Sequence, residues 1–203
     1  MPEFIKKAIY IIVILFVSMY FYRKYRYVTL GDGVFAPNEP IQTDITDPRL
    51  IDFNEYIITP LKNYEIEAKV LSKESYSMDR GADLSPVDFA LGWGRMSDEN
   101  VLNKLSISQS GRWYKWRTSD YPIPRSEIQS HSANVHIIPK DKIVKKMINN
   151  VIEGQIVKLK GKLVKVNAKK DSWHWVSSLS RSDIGNGACE VFYVEDVDIV
   201  KAK

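Results

Sequence analysis

The residues with most capacity for chemistry crowd into 171–190, DSWHWVSSLSRSDIGNGACE, which holds His174, several serines and Cys189, the only cysteine in the chain. A nucleophile here needs a base within hydrogen-bond reach, and usually a strained turn or a helix N-terminus to sharpen it. Cys189 instead follows Gly-Ala and opens CEVFYV, a run with the composition of a strand, and no serine sits in the G-x-S-x-G pattern of a nucleophile elbow. Asn186-Gly187 is a strong hairpin signal because both residues tolerate positive φ. The stretch therefore predicts the corner of a sheet, and no catalytic residue is assigned.

Metal chemistry has little support. The histidines are His131, His136 and His174. The H-x4-H spacing of the first two fits neither a helical metal motif nor a common zinc finger, and no cysteine pair accompanies it. Without a glycine-rich phosphate loop either, neither metal nor cofactor is expected. Asp88 and Asp98 flank Gly92-Trp93-Gly94 and are the first carboxylates to consider for glycoside hydrolysis, a chemistry whose geometry only the fold sets.

Tryptophan is the more informative excess. Trp93, Trp113, Trp116, Trp173 and Trp175 lie beside polar or basic residues, among them Arg112 and His174. Aromatic platforms with polar neighbours bind sugars, peptides or unstacked bases, although β-rich cores bury the same side chains. The candidate binding residues are Trp93, Arg112, Trp113, Trp116, Trp173, His174 and Trp175. Strand alternation sets Trp113 opposite Trp116, so at least one faces outward or into a groove.

The elements that must position these residues follow from periodicity. Tyr64, Ile66, Ala68 and Val70 alternate with charged residues, as in a half-exposed strand, and RWYKWR over 112–117 reads as another. Ser85-Pro86-Val87-Asp88 resembles a helix start and predicts a short helix to about Leu91; Ser97, Asp98 and Glu99 begin a second. Asp141 caps a third, with Ile143, Val144, Met147, Ile148 and Val151 as its apolar stripe and Gly154 as its stop. In IVKLKGKLVKV the apolar phase moves by one near Gly161, which suggests a β-bulge, and strands follow at 173–179 and 189–194. The expected fold class is α+β: a small β-barrel-like (OB-like) or sandwich sheet with two or three short helices, preceded by one transmembrane helix.

Charge divides the chain. Lys6, Lys7, Arg23, Lys24 and Arg26 against Glu3 account for the whole formal charge of +4, so the body beyond residue 27 is neutral overall. A body without a basic excess argues against nucleic acid as partner. Between Lys7 and Arg23 runs AIYIIVILFVSMYFY, which Phe4 and Ile5 extend, with basic flanks and tyrosines where an interfacial belt would lie. A cleaved signal peptide would need small residues after the run, but YFYRKYRY follows.

The expected organisation is a membrane anchor over 1–27 (transmembrane about 4–22), an irregular tether or arm over 28–60, and a globular β-rich α+β domain over 61–203. Basic residues on both sides leave orientation nearly balanced; the short leading tail tips it towards an extracytoplasmic body on a bacterial inner membrane. The expected function is a non-enzymatic, membrane-tethered binding or assembly module of the bacterial envelope, with a protein or glycan partner. The alternatives are a cell-wall-directed hydrolase and a single-stranded nucleic-acid-binding domain facing the cytoplasm.

Overall fold

The computed structural model describes residues 2–24, 27–180 and 188–200, with the side chains of residues 23 and 24 set aside. The first element is helix α1 (Glu3–Lys24). Its 22 residues reach about 33 Å, against a hydrocarbon core of about 30 Å. Over Glu3–Tyr22 the mean hydropathy is 2.0 and nothing is buried by the rest of the chain, so this helix is long and apolar enough to cross a membrane. A signal sequence has the same character.

The short strands β1 (Ile41–Thr43) and β2 (Ile51–Phe53) precede the long β3 (Tyr56–Ser75) and β4 (Val87–Gly92). A 3₁₀ turn (Gly94–Ser97) leads to α2 (Glu99–Leu102), then to the hairpin of β5 (Ser106–Ser110) and β6 (Trp113–Arg117). Helix α3 (Arg125–Ser130), strand β7 (Ser132–Pro139) and helix α4 (Lys142–Asn150) follow. Strands β8 (Ile156–Ala168), β9 (His174–Val176) and β10 (Glu190–Val200) complete the described chain. The architecture is α+β with a mixed sheet.

Five strands pair in a circuit. β3 pairs antiparallel with β4 and β4 with β7; β7 pairs parallel with β10; β10 pairs antiparallel with β8, and β8 antiparallel with β3. Phe89, Val135, Leu159, Phe192, Tyr64 and Ile66 fill the inner side. Alternate residues on the same strands point outward, where Tyr56, Ile58, Val164, Val191 and Tyr193 form a second cluster. Met96, Val101, Leu102, Ile123 and Ile128 build a third cluster against Leu71 and Ala90, with Tyr114 and Trp116 packed against it.

The helix expected from Ser85 to Leu91 is instead strand β4, preceded by turns. Val87, Phe89 and Leu91 face the inner core while Asp88 and Ala90 face outward, a period of two that overrides the cap-like Ser-Pro-x-Asp text. Asp141 does cap α4, accepting the backbone N–H groups of Ile143 and Val144. The buried row is narrower than its apolar stripe: Val144, Ile148 and, just past the helix, Val151 are buried, whereas Ile143 is 72% exposed. The helix at 97–102 is capped by Asp98, which accepts the Asn100 N–H, rather than by Ser97.

Near Gly161 the extra residue lies on the partner strand, where the β10 register shifts between Val194 and Asp196; β3 shifts likewise between Pro60 and Lys62. The 28–60 segment is already engaged with the body, through β1 and β2 on β3 and through Ala36 in the inner core. The hairpin expected at Asn186-Gly187 lies outside the described residues.

Candidate functional site

Register brings together residues that lie far apart in sequence. In the β4–β7 ladder Asp88 stands directly opposite His136 and Ala90 opposite Asn134. In the parallel β7–β10 ladder Val191 pairs with His136 and Glu190 with Val135, which sets Cys189 beside Asn134. Asp88, His136 and Cys189 thus lie in a row across three neighbouring strands, all on the outward side.

His136 is almost fully buried and its Nδ1 lies 2.9 Å from Asp88 Oδ2. That approach meets the distance of an ion pair without the alignment of a hydrogen bond. Cys189 stands two residues ahead of Val191, the register partner of His136, and so on the same side of the sheet, while the ring of Trp175 lies 4.4 Å from the imidazole between centroids, tilted by 43°. Burial alone would lower the pKa of His136, but the closeness of Asp88 and Cys189 outweighs it and holds the imidazole above its ordinary value. Asn134 Nδ2 donates to the Arg112 carbonyl at 2.9 Å and lies 3.6 Å from Cys189 Sγ; its Oδ1 accepts from Gln109 at 2.7 Å.

Arg112 locks this row from above. Ser110 pairs with Trp113, so Gly111 and Arg112 form a two-residue hairpin loop with φ of +57° and +72°. Positive φ at both positions is the signature of a type I′ turn, which suits the twist of the flanking strands. The turn directs the guanidinium onto Asp88 Oδ1 at 2.8 Å, the Ser85 carbonyl at 2.8 Å and both oxygens of Asp79 at 2.8 and 3.1 Å. Its Cζ lies 3.7 Å from the centre of the Tyr76 ring. Burial pushes the Tyr76 phenol up to about 12, ahead of the opposing effects of the Arg112 backbone N–H and guanidinium, so the guanidinium stacks on a neutral ring.

Beside the row opens a cleft of about 670 Å³ whose lining includes Trp113, Trp116, Tyr121, Asn134 and Cys189, with Lys115, Arg117 and Arg125 as its charges. No acidic side chain lines it among the described residues. Trp113 is exposed, and Trp116 meets Tyr121 edge to face at 6.1 Å.

The other residues singled out by sequence scatter. Trp173 and Trp175 touch edge to face at 6.0 Å, with Arg80 over Trp173 and His174 exposed on the opposite side of β9. Trp93 is fully buried and its indole N–H donates to Glu39 at 2.8 Å. His131 Nε2 lies 3.0 Å from another oxygen of Glu39, so the three histidines belong to three different surroundings. Asp98 caps α2 and accepts the Gly33 N–H, and it shares no partner with Asp88.

Sequence reasoning passed over His136, Asn134 and the linking role of Asp88. The signal present was alternation: Asn134 and His136 share one side of NVHII, as Asp88 and Ala90 share one side of VDFAL.

Comparison with protein-family models, with curated proteins and with solved structures gave no match.

Proposed function

We propose that this chain is a membrane-tethered binding module of the bacterial envelope, in which an OB-like barrel offers the cleft beside the β5–β6 hairpin to an acidic protein or glycan segment. The barrel is supported by the pairing circuit: taken in chain order, the five strands join as 1-2-3-5-4 and return to 1, with α4 between the third and fourth, the Greek-key arrangement of an OB-like fold. The observation that carries the binding reading is the cleft, where exposed aromatic surface meets Lys115, Arg117 and Arg125 without a lining carboxylate among the described residues. Planar faces supply apolar contact, and the cations select an anionic ligand.

A nucleic-acid groove along the lysines of 158–170 has less support. Five of the six pair with carboxylates, Lys158 and Lys160 with Glu65, Lys162 with Glu195, Lys169 with Asp52 and Lys170 with Glu55, which spends most of the charge locally and leaves Lys165. A hydrolase built on Asp88 and Asp98 is disfavoured by their separate surroundings.

The test is tryptophan fluorescence of the full chain in detergent micelles, titrated with polyglutamate and with polygalacturonate. A saturable, salt-sensitive change with at least one polymer is expected, and Arg117→Glu combined with Arg125→Glu weakens it at least about tenfold. No change with either polymer overturns the binding reading. A phosphatase fused to the C-terminus, active only outside the cytoplasm, is expected to be active.

A further inference from the structure

We propose that Cys189 is a nucleophile for acyl transfer, with His136 as its base and Asp88 as the residue that positions the imidazole. This goes beyond binding and gives the cleft a reaction of its own, on an ester or thioester of an anionic molecule.

Three observations converge on it. First, the row has the required order: the Asp88 carboxylate faces Nδ1 of His136, and the strand register sets the only cysteine of the chain on the same side of the sheet, beside Asn134 and two residues ahead of the partner of His136. With Nδ1 turned to the carboxylate, Nε2 is the nitrogen that can take the thiol proton. Second, access is graded. Asp88 and His136 are sealed from water, whereas Cys189 is only partly buried and lines the cleft. Third, Asn134 supplies a donor: one of its N–H bonds is held by the Arg112 carbonyl, and the same amide nitrogen donates to Sγ at 3.6 Å, from where that N–H can turn to an oxyanion formed beside the sulfur.

The network is also costly for a purely structural device. A carboxylate and an imidazole buried on a sheet face pay desolvation that apolar residues of similar size would avoid. The charged and titratable groups around His136 are Asp88 from β4, Cys189 ahead of β10, and Arg112 from the β5–β6 turn with Asp79 behind it. Arg112 holds Oδ1 of Asp88, which leaves Oδ2 to the imidazole.

The step balances as follows. Sulfur adds to the carbonyl carbon while the thiol proton passes to His136, and the oxyanion takes the Asn134 N–H. Collapse breaks the carbon–oxygen bond of the ester; the leaving alkoxide takes the proton from His136, and a thioester remains on Cys189. Water then adds with His136 as base, the carbon–sulfur bond breaks, and the proton returns to sulfur. The net reaction is ester plus water to acid plus alcohol.

The probe is p-nitrophenyl acetate, applied to the full chain in detergent micelles. The expected result is a burst of one nitrophenolate per chain and one acetyl group located on Cys189 by peptide mass spectrometry. Cys189→Ser loses the thioester adduct, and His136→Gln slows acylation at least about 100-fold. In the native chain the rate falls as pH drops through the titration of His136, with the break above the ordinary imidazole value, and Asp88→Asn lowers that break. Acetylation spread over lysines with none on Cys189, a flat pH profile in the native chain, or native-rate acylation in His136→Gln each overturns the proposal. The probe is small and uncharged, so its reaction survives even if neither acidic polymer binds.

Discussion

At the scale of the residue, Arg112 holds the most consequential position. It accepts a left-handed backbone conformation that costs a non-glycine residue about 1 kcal/mol, and in return its guanidinium joins the hairpin tip to Asp79, Asp88 and Ser85. Arg112→Ala keeps the backbone cost and leaves the buried Asp88 without its strongest partner, so the urea midpoint is expected to fall by the equivalent of about 3 kcal/mol. Arg112→Gly loses the same contacts but relieves the turn, and it is expected to be less damaging by about 1 kcal/mol. Equal losses in the two variants would mean that the turn is unstrained. The residues of this site could be weighed in the sequence only one at a time: Cys189 reads there as the start of a strand rather than as a nucleophile, Asp88 as a carboxylate of interest, His136 as a stray histidine. Their meeting was not legible, because it depends on the register of three strands that converge from positions 88, 136 and 189. Local text carries no information about that register.

At the scale of the element, alternation proved a better guide than caps. The strands at 64–70, 112–117 and 156–166 could be read from period two because each has one side facing a core and one facing water or charge. The 85–91 segment was harder, since β4 is covered on both sides and its outward residues, Asp88 and Ala90, carry no solvent signature. The phase change in β8 was visible, but its cause lies in β10, whose extra residue bulges against Gly161. A Cβ on residue 161 would collide with the Tyr193 carbonyl, and backbone on a neighbouring strand cannot step aside as a flexible side chain can. Gly161→Ala is therefore expected to destabilise the body by roughly 3 kcal/mol. Thermal melting followed by circular dichroism checks it; a variant that melts with the native chain would show that the strands separate there at no cost.

At the scale of the whole molecule, the question is how firmly the neutral body is held to its apolar helix. The described strap begins at Tyr27, three residues beyond the end of α1, a reach of at most about 11 Å. From there it is docked along the 3₁₀ turn and α2. Tyr27 Oη donates to Glu99, the Val28 N–H to the Glu153 carbonyl, the Gly33 N–H to Asp98, and the Phe35 and Ala36 N–H groups to Ser97 Oγ. Beneath it lies the ion pair of Lys69 and Glu99, whose side chains are 0% and 4% exposed. Burying such a pair is tolerable only while every charge keeps its partners, and the strap supplies two of those of Glu99, the Tyr27 hydroxyl and the Leu30 N–H. The strap thus belongs to the fold, and it sets the body close to the end of α1. A chain beginning at Tyr27 keeps these contacts; one beginning at Asn38 loses them and admits water to Lys69 and Glu99. At about 1 kcal/mol for each net hydrogen bond, the shorter chain is expected to be at least about 3 kcal/mol less stable in urea, read from tryptophan fluorescence. Coincident unfolding curves would show the segment to be a loose leash, and the body would then sweep a wide volume around the end of α1 instead of facing one direction.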